Sequence, residues 1–285
     1  MMQKTEPERA HAIIQAADLE EKYDLERHES HHGNEVWGYG PYLLRIHSDG
    51  RALAREANLL RVLPTGIPHA PVVAVGDGWI VQRRSAGHPL SLVWPSLSES
   101  KRRAAAQQLA AILINLHQIR ISGIPSLSPG WYSALLPAEI FQRATEYRSQ
   151  APDLMDAVMD FTRSMLTETA PPLRWGFIHR DLHFGHVIWN GERITALLDF
   201  ESAVLAPREL ELEMLVRFCR YPTLCTTLGA SDLELLLSWL QEDYPLMFGE
   251  PGLERRLKLY SIEHDLRLLP TDPAALGRLQ ALLSE

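Results

Sequence analysis

The feature that most restricts the fold of this chain is a change of period along its length. Up to about residue 85 the apolar residues come in short runs interrupted by glycine, and beyond it they recur at helical spacing almost to the end. "NEVWGYGPYLLRIHS" (34–48) has two such runs around Gly38, Gly40 and Pro41, and "APVVAVGDGWIVQRR" (70–84) has two around Gly76-Asp77-Gly78. Short strands broken by turn formers are hairpin chemistry. Two helices join them: one over residues 7–22, with Ala10, Ile13, Ile14 and Ala17 on one face, and one through "REANLLRVL", with Ala57, Leu60 and Leu63 inward. "SAGHPLSLVWP" (85–95) reads as a linker. After it, Ser96 and Glu99 form an expected capping box for a long amphipathic helix through "AAQQLAAILINLHQI". Residues 131–170 continue helically with breaks at Pro137 and Pro152, "WGFIHRDL", "HVIWN" and "ITALLDF" read as short strands, and the chain after Pro207 reads as helix. The expected class is α+β: a small antiparallel β-rich lobe over 1–86, a linker over 87–95 and a larger, mainly helical lobe over 96–285.

Composition narrows the partners. The chain has 285 residues and a net charge of −8, which disfavours nucleic acid or an anionic membrane surface and tolerates a cationic small molecule. Two cysteines, Cys219 and Cys225, make neither a disulfide framework nor a zinc spacing. The first residues lack the apolar core of a signal peptide, and no apolar run reaches the roughly 18 residues of a membrane span. The expectation is a soluble, cytoplasmic protein.

The chemistry concentrates in "GFIHRDLHFGHVIWN" (176–190), where three histidines, an arginine and an aspartate lie between two apolar patches. A turn at Gly191-Glu192-Arg193 then leads into "ITALLDFES", which holds Asp199. Two carboxylates, Asp181 and Asp199, with an imidazole between them at His186, supply a proton-transfer or divalent-metal site. A second reading takes His179, Asp181, His183 and His186 as the cluster of a metal-dependent hydrolase with zinc or iron. That cluster finds no further histidines at a metal-ligand spacing elsewhere in the chain.

His179-Arg180-Asp181 followed by Asp199-Phe200-Glu201 resembles the aminoglycoside phosphotransferase branch of the protein-kinase-like fold. That family has an H-x-D-x-x-x-x-N loop, a short hairpin and then a metal-binding aspartate. The resemblance extends to Gly33-Asn34 before the first hairpin, which matches the nucleotide-covering turn. It also takes in Arg45 in "LLRI", which matches the basic nucleotide contact, and Glu56 in "AREANLL", which matches the helix glutamate that pairs with it. It covers most of residues 25–215 and implies a cytoplasmic kinase that moves the γ-phosphate of ATP or GTP to a hydroxyl of a small molecule, such as an aminoglycoside or amino sugar. In that scheme Asp181 takes or orients the hydroxyl proton, Asp199 and His186 hold Mg²⁺ or Mn²⁺, and Arg45, Glu56, Gly33 and Asn34 serve the nucleotide. His179 is expected to buttress the loop and His117 to be core. A kinase-like nucleotide-binding module without catalysis is the non-enzymatic alternative.

Four departures from the family pattern stand out. His186 occupies the asparagine position, as in the 2″-phosphotransferase branch, and Arg45 stands where many kinases have lysine. The covering turn "ESHHGNEVW" has one glycine. The acidic residue of the usual G-D-P-x-x-D tail is absent from its place in "LAPRELEL", with Glu209 and Glu211 flanking it. For gripping a cationic acceptor the candidates are Glu242, Asp243, Glu263 and Asp265, each of which also reads as an ordinary helix-face charge.

Overall fold

A computed structural model describes residues 6–28, 34–47, 50–120, 124–128, 130–222 and 228–284. The chain divides into two compact units, Met1–Asn115 with Phe184–Ala203, and Leu116–His183 with Val204–Glu285. The edges of these units do not coincide with the 86 and 96 boundaries expected from the sequence. The long helix that follows the linker, and the hairpin ahead of Asp199, both group with the N-terminal sheet.

The first unit is built on a five-stranded antiparallel sheet. Its strands are β1 (Leu25–His28), β2 (Asn34–Tyr39), β3 (Tyr42–His47), β4 (Val72–Gly76) and β5 (Trp79–Arg83), in the order β1-β2-β3-β5-β4. Gly40 at the β2–β3 turn has φ +53°, a conformation glycine adopts without steric cost. Both expected hairpins are present; β1 was not expected, its "LERH" having no alternating apolar pattern. Residues on opposite faces of the sheet pack against different helices. Trp37, Tyr39, Leu44 and Val81 pack with Ala10, Ile13 and Ile14 of α1 (Glu6–Ala16), while Ile80 packs with Leu53 and Ala57 of α2 (Gly50–Val62). Ile80 and Val81 are neighbours in β5, and the period of two sends them to opposite sides.

The same unit has β6 (His88–Pro89), α3 (Leu90–Val93) and most of α4 (Glu99–His117). Helix α4 begins at Glu99, and the Ser98 hydroxyl accepts the Lys101 N–H at 3.4 Å. Ser96 instead donates to the Val93 carbonyl at 2.8 Å, so Ser98 takes the capping place, and with Lys101 three residues on it makes no capping box. Strands β8 (Val187–Trp189) and β9 (Ile194–Leu197) complete a small antiparallel sheet in the order β6-β8-β9. Gln108 of α4 holds their turn, donating to the Glu192 carbonyl and accepting the Ile194 N–H, both at 2.9 Å. The Asn190 side chain accepts the N–H groups of Glu192 and Arg193 at 3.0 and 2.9 Å. The hairpin before Asp199 is therefore fixed at its tip.

The second unit is mainly helical. Strands β7 (Trp175–Ile178) and β10 (Val204–Pro207) pair antiparallel. The helices are α5 (Leu136–Tyr147), α6 (Pro152–Glu168), α7 (Glu209–Arg220), α8 (Ala230–Asp243), α9 (Leu253–Leu268) and α10 (Ala275–Ser284). Pro137 and Pro152 lie at the first turns of α5 and α6, where proline's missing N–H costs nothing, so they start helices instead of breaking them. A single π-helical turn, Trp131–Leu135, precedes α5. Ile140, Met155, Val158, Ile178, Leu259, Ile262, Leu266 and Leu279 share one buried core. Gly176 lets β7 run close to the end of α4, because a Cβ there would lie 2.7 Å from the His117 carbonyl oxygen.

Among the described residues no helix is long and apolar enough to cross a membrane. Cys219 is buried, and Cys225 lies outside the described residues.

Candidate active site

In the first unit the site begins with a strand and a helix. Arg45 on β3 and Glu56 on α2 are eleven residues apart in sequence, and the sheet presents one to the other. Arg45 Nη1 donates to both Glu56 carboxylate oxygens at 2.8 Å. Glu56 Oε1 also accepts the Phe200 N–H at 3.2 Å, which ties α2 to the segment after β9. Arg45 Nη2 donates to Asp199 Oδ1 at 3.1 Å and lies 3.7 Å from Glu201 Oε2. One guanidinium thus spans three carboxylates. Arg55 of α2 donates to the Glu201 carbonyl.

The electrostatics follow from burial and these pairings. Burial alone would lower the Arg45 pKa, but Glu56, Asp199 and Glu201 outweigh it, and the guanidinium is held above its ordinary value. Glu56 moves up from its ordinary value, first because it is buried, with Asp199 adding repulsion and Arg45 opposing the rise. Asp199 takes a left-handed backbone conformation, φ +63°, which an aspartate tolerates better than most side chains.

The donor set fits a divalent cation. Oxygens of Glu56, Asp199 and Glu201 all lie within 4.8 Å of one another. His186 Nε2 lies 3.9 Å from Asp199 Oδ2, a gap that one ion at about 2.0–2.2 Å from each atom can bridge. Carboxylates suit Mg²⁺, and the imidazole widens the choice toward Mn²⁺.

In the second unit the loop after β7 carries Asp181. Its preceding residue, Arg180, has φ +66°, an uncommon conformation for a residue with a long side chain. Glu211, in the first turn of α7, stabilises this geometry. Its Oε2 accepts the His179 N–H at 2.6 Å, and its Oε1 accepts the Arg180 N–H at 3.1 Å. Glu211 is fully buried, and His117 Nε2 lies 3.9 Å from it, with His117 Nδ1 3.0 Å from the Tyr244 hydroxyl. Sequence reasoning placed Glu211 only beside a missing acidic position; the structure makes it the anchor of the loop. His179 is itself fully buried. His183 meets the Phe218 ring edge-on at 5.3 Å.

Not every sequence candidate joins these clusters. Gly33 lies outside the described residues, and Asn34 is the first residue of β2, its side chain outside them as well. Asp265 is fully buried, bound to Arg217 at 2.5 Å and Arg278 at 2.7 Å, so it is committed to the core instead of to an acceptor. Glu263 lies 3.9 Å from Arg267 one turn on.

These features define a kinase-like architecture, with an arginine on an antiparallel sheet, a helix glutamate paired with it and an aspartate after a hairpin. The chain belongs to the phosphotransferase enzyme family, whose model matches residues 30–247. No curated protein matches its sequence. Among solved structures, the gentamicin complex of APH(2'')-IIa superposes with a TM-score of 0.74 at 16% identity, covering 100% of this chain and 97% of the other. The apo form of a thermostable APH(4)-Ia mutant gives 0.70 at 16% identity, over 92% and 94% of the two chains. ADP-bound APH(2'')-Ib gives 0.69 at 15% identity, over 98% and 97%. At that identity the likeness establishes the fold, which is the expected α+β protein-kinase-like one.

Proposed function

We propose that this protein is a metal-dependent O-phosphotransferase that moves the γ-phosphate of ATP or GTP to a hydroxyl of a small molecule. The observation that supports this most is the Arg45–Glu56 pair, with Asp199 on the same guanidinium, in a chain of the phosphotransferase family. Triphosphate chemistry needs a fixed cation for phosphate charge and a carboxylate that holds a metal, because carboxylates alone would repel the nucleotide.

In this reading Arg45 contacts the phosphates through Nη2, and Glu56, bound to Nη1, sets its orientation. Asp199 and His186 would hold Mg²⁺ or Mn²⁺, which would supply positive charge against the phosphates. Asp181 orients the acceptor hydroxyl and takes its proton. Glu211 keeps the Asp181 loop in its left-handed turn by accepting the two preceding N–H groups. The strain at Arg180 is thereby offset locally.

Solved relatives have been captured with gentamicin and, for APH(4)-Ia, with hygromycin B and ADP. Aminoglycosides and related amino sugars are therefore the first acceptors to test, and a net charge of −8 suits a cationic one. The test is phosphate transfer from γ-labelled ATP and GTP, with Mg²⁺, Mn²⁺ or EDTA, to a panel of hydroxylated amines, sugars and sugar alcohols. Labelled product that depends on metal and acceptor is the expected result. Absence of transfer across the panel, from protein whose melting point responds to nucleotide, would replace this reading with a nucleotide-binding module.

A further inference from the structure

Arg45 does two separable jobs with its two terminal nitrogens. Nη1 is spent on Glu56, which is fully buried and also accepts the Phe200 N–H. Nη2 faces the other way, toward Asp199 Oδ1 at 3.1 Å and Glu201 Oε2 at 3.7 Å. Those two carboxylates are the more open ones: the Asp199 side chain is 25% exposed and that of Glu201 35%. Three carboxylates and one guanidinium leave an excess of two negative charges, the charge of one divalent cation. A guanidinium can divide itself this way because its donors diverge, whereas a lysine ammonium is a point charge. That supplies a physical reason for arginine at this strand position.

We infer that Arg45 is a displaceable internal counter-ion: its Nη2 and a divalent cation compete for Asp199 and Glu201, while Nη1 stays on Glu56. The inference rests on the phosphotransferase reading for the metal and adds Glu201 to the groups that meet it. Metal alone must push a guanidinium off two carboxylates, which weakens its binding. A polyphosphate offers Nη2 new acceptor oxygens and so frees both carboxylates for the metal. Nucleotide and metal then load together, and neither binds strongly by itself.

The experiment measures Mn²⁺ binding without nucleotide by the loss of free Mn²⁺ signal in electron paramagnetic resonance. The samples are the natural chain, Arg45→Met, Arg45→Gln, and Arg45→Met combined with Glu201→Gln. Removing a positive charge a few ångströms from the carboxylates should tighten Mn²⁺ binding by about tenfold or more, after allowance for solvent screening. Adding Glu201→Gln should reverse most of that gain. Folded Arg45 variants that bind Mn²⁺ no tighter than the natural chain overturn the inference, as does a double variant that keeps the full gain. Should neither neutral variant unfold cooperatively, Arg45→Lys retains a charge for Glu56, gives up the second arm and is expected to bind Mn²⁺ several-fold tighter. No tightening there overturns the inference too. This readout is independent of catalysis. A chain that transfers phosphate but shows no tightening loses the exchange and keeps the function, and a chain that shows tightening but no transfer does the reverse.

Discussion

The Glu211 carboxylate lies 2.6 Å from the backbone nitrogen of His179, thirty-two residues away in sequence, and its second oxygen accepts the next N–H as well. A carboxylate is the one side-chain type that accepts at both ends. A glutamine in its place accepts at one end and turns an N–H₂ donor toward a buried N–H at the other. Glu211→Gln should cost about 1–3 kcal/mol of stability, read from the denaturant midpoint. Because the loop it holds carries Asp181, kcat should fall at least about tenfold while the nucleotide KM stays nearly unchanged. Equal losses in both parameters, or none, would reduce Glu211 to a core residue.

Glu56 and Arg45 form a buried pair whose side chains are 0% and 12% exposed. Removing one partner strands the other's charge and also frees the Phe200 N–H. Glu56→Ala is expected to destabilise by about 3 kcal/mol and to weaken nucleotide binding. Glu56→Gln keeps the shape and one acceptor and should cost less. Thermal melts with and without nucleotide separate the two effects.

How far the sequence could be read depended on where each partner comes from. The pairing of Arg45 with Glu56 was legible only through the family resemblance, and in the fold it joins a strand to the helix after it. The two hairpins declared themselves through Gly40-Pro41 and Gly76-Asp77-Gly78. The α7 stretch "ELELE" was not legible, since charge at every second position has the period of a strand and on a helix falls on opposite sides, marking no single buried face. In the fold all three glutamates are buried, and each is satisfied by a distant segment: Glu209 by Arg256 and Tyr260, Glu211 by the β7 loop, Glu213 by Ser261 and His264. Asp265 misled for the same reason, because its arginine partners lie forty-eight residues before it and thirteen after.

Asp181 and Asp199 have different tasks in the proposed reaction, and conservative variants should separate them. Asp181→Asn removes the proton acceptor, and kcat should fall by about a hundredfold to ten-thousandfold. The thermal shift caused by nucleotide with metal should survive. Asp199→Asn should lose the metal-dependent part of that shift along with activity. If Asp181→Asn keeps full turnover, proton transfer lies elsewhere.

Glu213 gives the second unit an acid-sensitive contact. Burial pushes its pKa up, but His264, Arg217 and the Ser261 hydroxyl outweigh burial and hold the carboxyl below its ordinary value of 4.5. A group depressed in the folded state adds stability above its unfolded value, and that stability is lost as pH falls through the lowered value. Unfolding free energy should therefore drop as pH is taken below about 4.5, with Glu213 supplying part of the slope. Glu213→Gln should lower stability at neutral pH by about 1–3 kcal/mol and flatten the acid limb. Denaturant melts from pH 7 down through the acid range test both halves. An unchanged acid slope in a variant destabilised at pH 7 would assign the acid sensitivity to other carboxylates.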